Sequence, residues 1–285
     1  MAATRIAERG PLRWDQLRTV ARTDLKQLAQ ARDYWIPMMI LGGIFFVFVP
    51  TVLLLTITQI GDVGAVEQLS QALEILPQDA KEQIKGDTES GRAAYALAVY
   101  LFAPVAVVVP ITISTAVGAA TIVGERERGT GEFLAHSPAG IREIFYGKLA
   151  ASLLPGYLTT IAGFGVYALI VNTIVGPDVG GWFFPTPQWW VLMLWVVPPF
   201  LALTLSLVLR LSAKVKSTAA AQQASALVSL PLIMVAYSQA TGSLYGGDAL
   251  AWYVGAVAWA LAAVALWRGV RSVTRARLLG VADEQ

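Results

Sequence analysis

Six long stretches of the chain carry no Asp, Glu, Lys or Arg: one between Asp33 and Asp62, and others over 93–124, 149–177, 179–209, 217–247 and 249–267. Each has at least 19 residues. About 20 apolar residues, rising about 1.5 Å apiece, cross a hydrocarbon core about 30 Å thick. A charge at the centre of such a helix costs about 2.5–3.5 kcal/mol on insertion scales. Charge-free windows separated by charged clusters are therefore the pattern of a chain threaded six times through a bilayer. The expected fold is an all-α integral membrane protein with six transmembrane helices at about 36–58, 95–123, 149–174, 188–209, 217–239 and 250–268. Composition agrees, with 56% of the 285 residues apolar and 14% charged, against about 45–50% and about 25% in soluble domains.

The bases fix an orientation. Outside the spans, Lys and Arg number seven in 1–33, three in 59–94, four in 124–148, none in 178–187, three in 210–216, none in 239–250 and four in 268–285. Alternate segments thus hold 18 and 3. The positive-inside rule places both termini and the loops 124–148 and 210–216 in the cytoplasm, and the loop 59–94 outside the plasma membrane. The organisation expected is a cytoplasmic N-terminus (1–33), one six-span domain (34–268) and a cytoplasmic tail (269–285). Tyr34, Trp35 and Trp267 fall at inner boundaries, and Trp182, Trp189, Trp190, Trp252 and Tyr253 at outer ones, where amphipathic rings prefer to sit. Arg5, Glu8, Arg9 and Arg13, with no early apolar run, do not read as a secretory signal peptide.

Residues 12–32 read as an amphipathic helix before the first span. Leu17, Val20, Ala21, Leu25 and Leu28 recur at helical spacing, while Arg18, Arg22 and Lys26 stand four apart on another face. Such a helix either lies in the interface with its bases toward anionic membrane lipid or docks on a soluble partner. The loop 59–94 holds Asp62, Glu67, Glu74, Asp79, Glu82, Asp87 and Glu89 against Lys81, Lys85 and Arg92, and reads as a solvated acidic loop. Asn172 and Thr173 read as interfacial. Prolines 50, 104, 110, 155, 198, 199 and 231 lie in or near the ends of spans, where each removes a backbone hydrogen bond and tends to kink its helix.

No ionisable Asp, Glu, Lys or Arg falls deep in a span, which argues against coupling through intramembrane carboxylates and against an intramembrane enzyme. The fifth expected span carries Thr218, Gln222, Ser225 and Ser229 along one stripe. Small and hydrogen-bonding residues of this kind serve either close helix packing, as at a dimer interface, or the lining of a translocation path. There is no Cys and a single His, His136, so no thiolate or multi-histidine metal site is expected. With no nucleophile or carboxylate pattern beside it, His136 reads as solvated or interfacial. The net charge of +2 gives no support to a nucleic-acid partner.

The most distinctive segment is the loop 124–148. Its run Glu125-Arg126-Glu127-Arg128-Gly129-Thr130-Gly131-Glu132-Phe133-Leu134 leads through His136 to Ser137-Pro138 and then to Ile141, Glu143, Ile144, Gly147 and Lys148. Gly129 breaks or caps the second span, and Thr130 can cap a short helix. Ser137-Pro138 is expected to start another helix, with cap and first-turn proline in their preferred places. Exposed Phe133 and Leu134 would make the pair of short helices a knob suited to pushing on a partner.

This segment resembles the one between the second and third spans of ABC-2 type permeases, the membrane subunits of a large class of ABC exporters. Those proteins have six spans, both termini inside and an N-terminal amphipathic connecting helix. The resemblance implies that residues about 130–137, with Thr130, Glu132, Phe133, Leu134 and His136, form a coupling helix seated in a cleft of a separate nucleotide-binding ATPase subunit. It also implies that Glu125, Arg126, Glu127 and Arg128 join a salt-bridged network around it. Gly131, where relatives carry a bulkier apolar residue, and His136-Ser137 before the proline depart from the family pattern. The chain itself lacks a P-loop, because Gly147-Lys148 is followed by Leu149 and preceded at the required glycine by Arg142. ATP and Mg are thus expected on the partner and no cofactor on this chain.

The function these features imply is the non-catalytic permease subunit of an ATP-driven exporter of an amphipathic or apolar substrate, whether drug, peptide or lipid-like. It would work beside a second permease copy or a related one. The alternatives are a lipid or glycan exporter of the same superfamily, or a non-transporting membrane anchor or sensor that recruits an ATPase.

Overall fold

A computed structural model describes residues 12–60, 78–127, 137–212 and 248–272, with the single positions 64, 71, 74, 76 and 238. Among the described residues every regular element is helical. Helix α1 (Trp14–Gln30) is the amphipathic one. After Ala31 the chain enters α2 (32–60), and then come α3 (89–127), α4 (Ile141–Ile174), α5 (187–212) and α6 (Asp248–Ser272). Five segments are long and apolar enough to cross a membrane: Trp35–Gln59, Glu89–Ala119, Ile141–Ile174, Pro187–Arg210 and Ala251–Gly269. They overlap the first four expected spans and the sixth. The expected fifth, 217–239, lies outside the described residues apart from Ser238.

Helices α3 and α5 are the most enclosed, while α2 and α6 leave most of their apolar surface uncovered. Helix α4 packs along α3 and also against α1, and α5 is flanked by α3 and α6. The main core runs from Phe46 and Leu54 of α2 through Tyr100 and Val107 of α3 to Tyr167 of α4 and Trp189 and Leu201 of α5. A second, smaller core gathers Val20, Ile144, Phe145, Leu149, Leu205 and Leu209 where α1 meets the start of α4.

The helix ends differ from the sequence reading in two places. Helix α3 starts at Glu89 rather than near 95, because the Thr88 hydroxyl accepts a hydrogen bond from the Gly91 N–H at 3.0 Å and caps it. Helix α4 starts at Ile141 rather than at Ser137-Pro138, which form a bend. Gly140 takes the N-cap place in extended conformation (φ −72°, ψ 164°), and the Glu143 carboxylate folds back against it, where an acid favours a helix N-terminus. The 34 residues of α4 span about 51 Å, so the helix outruns the hydrocarbon core.

Three spans widen where a proline interrupts them. Turns with a five-residue hydrogen-bond step occupy Ile44–Phe48, Leu97–Leu101 and Leu192–Val196, directly ahead of Pro50, Pro104 and Pro198. The missing amide breaks the four-residue ladder, and the turn expands to recover what it can. A fourth such turn, Thr56–Ile60, precedes no proline among the described residues.

At the end of the bundle away from α1, the segment between α4 and α5 is tied to Asn172. Its Oδ1 accepts from the Phe183 and Phe184 N–H groups at 2.9 and 3.0 Å, and its Nδ2 donates to the Phe184 carbonyl at 2.6 Å. Asn172 is buried, so its interfacial reading is corrected, while its neighbour Thr173 is exposed. Trp189 is corrected too: it is buried against Phe164, Phe184 and Tyr167, with ring centroids 5.0–5.9 Å away. Trp182, Trp190, Trp252, Tyr253, Trp35 and Trp267 remain exposed, as boundary residues should.

Candidate functional site at the junction of α1, α3 and α4

The apolar face expected on α1 forms, with Val20 and Ala21 buried and Leu17, Leu25 and Leu28 partly so. One residue on that face is not apolar. Asp24, one turn beyond Val20, is only 6% exposed, and Lys148 of α4 is fully enclosed. Lys148 Nζ stands 3.3 Å from Asp24 Oδ2 and donates at 2.7 Å to the Thr121 carbonyl of α3. One ammonium therefore holds three helices together. The Lys148 carbonyl accepts from Ser152 Oγ at 2.7 Å, and Thr121 Oγ1 lies 3.4 Å from the same hydroxyl, so the polar groups around the ion pair are knit to one another.

Close backbone approach makes this contact possible. A Cβ on Gly147 would stand 2.8 Å from Val20 Cβ and 3.1 Å from the Leu17 carbonyl oxygen, so only glycine admits α1 at this depth. Gly147→Ala is accordingly expected to cost about 1–3 kcal/mol through overpacking and to loosen α1. Limited proteolysis within 14–30 in detergent checks it, with equal cleavage of both proteins as the contrary result. One turn earlier, Glu143 is buried as well, and its Oε1 accepts the Arg13 N–H at 3.1 Å. Its carboxylate thus meets the N-termini of α1 and α4 together, where both helix dipoles favour negative charge.

The opposite face of α1 is basic. Arg18, Arg22 and Lys26 are exposed, and a cleft on this side is lined by Thr19, Arg22, Thr23, Lys26, Gln27 and Gln30. Among the described residues no group of His, Cys, Asp and Glu is arranged to hold a metal ion.

Of the residues singled out in the sequence, Glu125, Arg126 and Glu127 form the end of α3, described in backbone only. Arg128, Thr130, Glu132, Phe133, Leu134 and His136 lie outside the described residues, as do Thr218, Gln222, Ser225 and Ser229. The structure instead brings together Asp24, Thr121 and Lys148, with Glu143 further back on α4 against the Arg13 N–H, and these were not expected to act as a group. Two of them, Glu143 and Lys148, belong to the family-like run 141–148, so the run already marked one wall of the junction.

The profile of the ABC-2 family transporter protein matches residues 18–274, from α1 through the last span. The chain belongs to the ABC-2 transporter family. It is a multi-pass membrane permease of an ABC transporter, a transport subunit. No curated protein matches the chain. In this ABC-2 permease the family match takes in all three walls of the junction.

Proposed function

We propose that this permease is the membrane half of an exporter, driven by separate ATPase subunits that engage residues about 130–137 of the loop 124–148 and carry the ATP and Mg. The observation that supports this reading most is Lys148. The segment leaves α3 after Glu127 and returns to α4 at Ile141, and Lys148 ties α3, α4 and α1 at its base. A push on the segment is therefore delivered to three helices at once. Both termini lie in the cytoplasm, and the basic face of α1 rests against anionic headgroups of the inner leaflet. A second permease copy or a related one completes the path, with Thr218, Gln222, Ser225 and Ser229 at the path or between the copies. The cargo is amphipathic or apolar, since the spans offer it few charges.

Co-purification with a separately encoded ATPase in mild detergent tests the reading. Replacing Phe133 and Leu134 together by Asp removes the apolar anchors of the segment, and each lost anchor costs about 2 kcal/mol or more at an interface centre. Binding is expected to fall at least about tenfold. An ATPase that binds parent and variant alike would contradict the coupling role of the segment.

A further inference from the structure

Two of the proline-widened turns are held by aromatic side chains of neighbouring helices. In a five-residue step, the amide missing at Pro104 is the one that would serve the Val99 carbonyl, and the amide missing at Pro198 would serve Met193. Val99 O accepts instead from Trp189 Nε1 at 2.9 Å, and Met193 O from the Tyr157 hydroxyl at 2.9 Å. Ala98 O, beside Val99 in the same turn, accepts from the Tyr167 hydroxyl at 2.8 Å. Tyr167 and Trp189 are buried. A carbonyl without a partner in an apolar interior costs about as much as a lost hydrogen bond, so these bonds fix the widened form of each turn.

Together the bonds close a triangle. Tyr167 links α4 to α3, Tyr157 links α4 to α5, and Trp189 links α5 to α3. Both hydroxyls come from α4, the rod whose first turns follow the proposed coupling segment and carry Lys148. Widened turns are weak points in a helix, since they can switch between a five- and a four-residue step and change its direction.

We infer that Tyr157 and Tyr167 are positioning residues, which transfer a displacement of α4 to the widened turns of α5 and α3 and make those turns the joints about which the two spans tilt. The inference rests on the proposed entry of motion at about 130–137. It places the moving parts in α3 and α5 at the level of Ala98 and Met193, far along α4 from Lys148.

The test uses the permease–ATPase complex in lipid nanodiscs and takes advantage of a chain with no native Cys. Spin labels are placed in one permease copy at exposed positions. The pair Thr173→Cys and Tyr253→Cys reports α4 against α6, and the pair Asp87→Cys and Thr173→Cys reports the start of α3 against α4. Trapping with ATP and vanadate is expected to shift the first distance and leave the second fixed. In Tyr167→Phe, which removes only the hydroxyl, the first still shifts and the second now shifts with it. Amide exchange without nucleotide gives an independent reading: it should rise about tenfold over 97–101 in Tyr167→Phe and over 192–196 in Tyr157→Phe, the loss of one hydrogen bond. If α4 moves but the α3–α4 distance stays fixed in Tyr167→Phe, or if exchange in both turns is unchanged, the positioning role is overturned and the coupling reading stands. If the first distance does not shift in the parent, the coupling reading falls and the inference with it.

Discussion

Asp24→Leu is expected to destabilise the permease by about 3–5 kcal/mol, and Lys148→Met by a similar amount, while the double variant Asp24→Leu/Lys148→Met recovers most of the loss. Each single change takes one charge out of a buried ion pair and leaves the other behind, and removing one partner of such a pair is costly. The double variant removes both charges of the pair, and apolar side chains of similar volume can fill the space between α1 and α4. Replacing a buried pair in this way is often neutral or stabilising. Unfolding in graded denaturant, followed by tryptophan fluorescence in detergent, measures the coupling as a double-mutant cycle. A pair of single variants that each lose less than about 1 kcal/mol would show that the ion pair is solvated and does not bind the three helices.

The cycle also separates stability from transmission. Lys148→Met removes the donor to the Thr121 carbonyl as well as the charge, so the double variant regains packing without regaining the link to α3. If that link carries the ATPase stroke, the double variant should fold and bind its ATPase yet show a smaller α4 displacement on nucleotide trapping. Apolar replacement can restore a core, but it cannot restore a directed bond to a carbonyl.

The five spans found among the described residues were legible because the bilayer penalises charge heavily, so that uncharged runs of at least 19 residues mark membrane crossings. The amphipathic helix was legible for a related reason: five apolar residues at helical spacing point to one packed face. Asp24 shows where that reasoning stops. It sits among those apolar positions, and a periodicity argument treats it as a polar residue at the edge of the stripe, because its partner is 124 residues away in the chain. Lys148 was equally ambiguous, since a base next to the start of a charge-free run reads as a boundary marker. Only the fold shows that the two face each other. Gly147 likewise registers in the sequence as half of a failed P-loop, and its purpose appears once Val20 is placed against it.

The prolines read in the sequence as interruptions, and Pro50, Pro104 and Pro198 follow widened turns, but the sequence carries no sign of how each is accommodated. Pro110 and Pro155 lie within regular helix, whereas Pro104 and Pro198 follow widened turns. At Pro104 and Pro198, side chains from other helices reach the freed carbonyls. Trp189 illustrates this. Sitting at the end of its span next to Trp190, it has the signature of an interfacial ring, yet its indole N–H is used inside the bundle while Trp190 stays exposed.

Asn172→Leu, at the far end of α4, is expected to cost about 3 kcal/mol or more. The side chain satisfies the N–H groups of Phe183 and Phe184 and the Phe184 carbonyl, in a site where Phe184 and Trp189 are buried. Each buried backbone group left unpaired costs about 1–3 kcal/mol, and leucine offers none of the three a partner. Its neighbour supplies the control. Thr173 is exposed and its hydroxyl bonds only carbonyls of its own helix, Leu169 and Ile170, so Thr173→Val should change stability by less than about 0.5 kcal/mol. Asn172→Asp should fall between the two, because a carboxylate can still accept from both N–H groups but cannot donate to the Phe184 carbonyl. The three variants thus rank by the number of loop bonds they retain, a ranking that hydrophobicity alone would reverse, since leucine suits a membrane span better than aspartate. If Asn172→Asp proves more harmful than Asn172→Leu, the cost of a charge at this depth outweighs the two retained bonds, and the site is drier than its place at the end of a span implies.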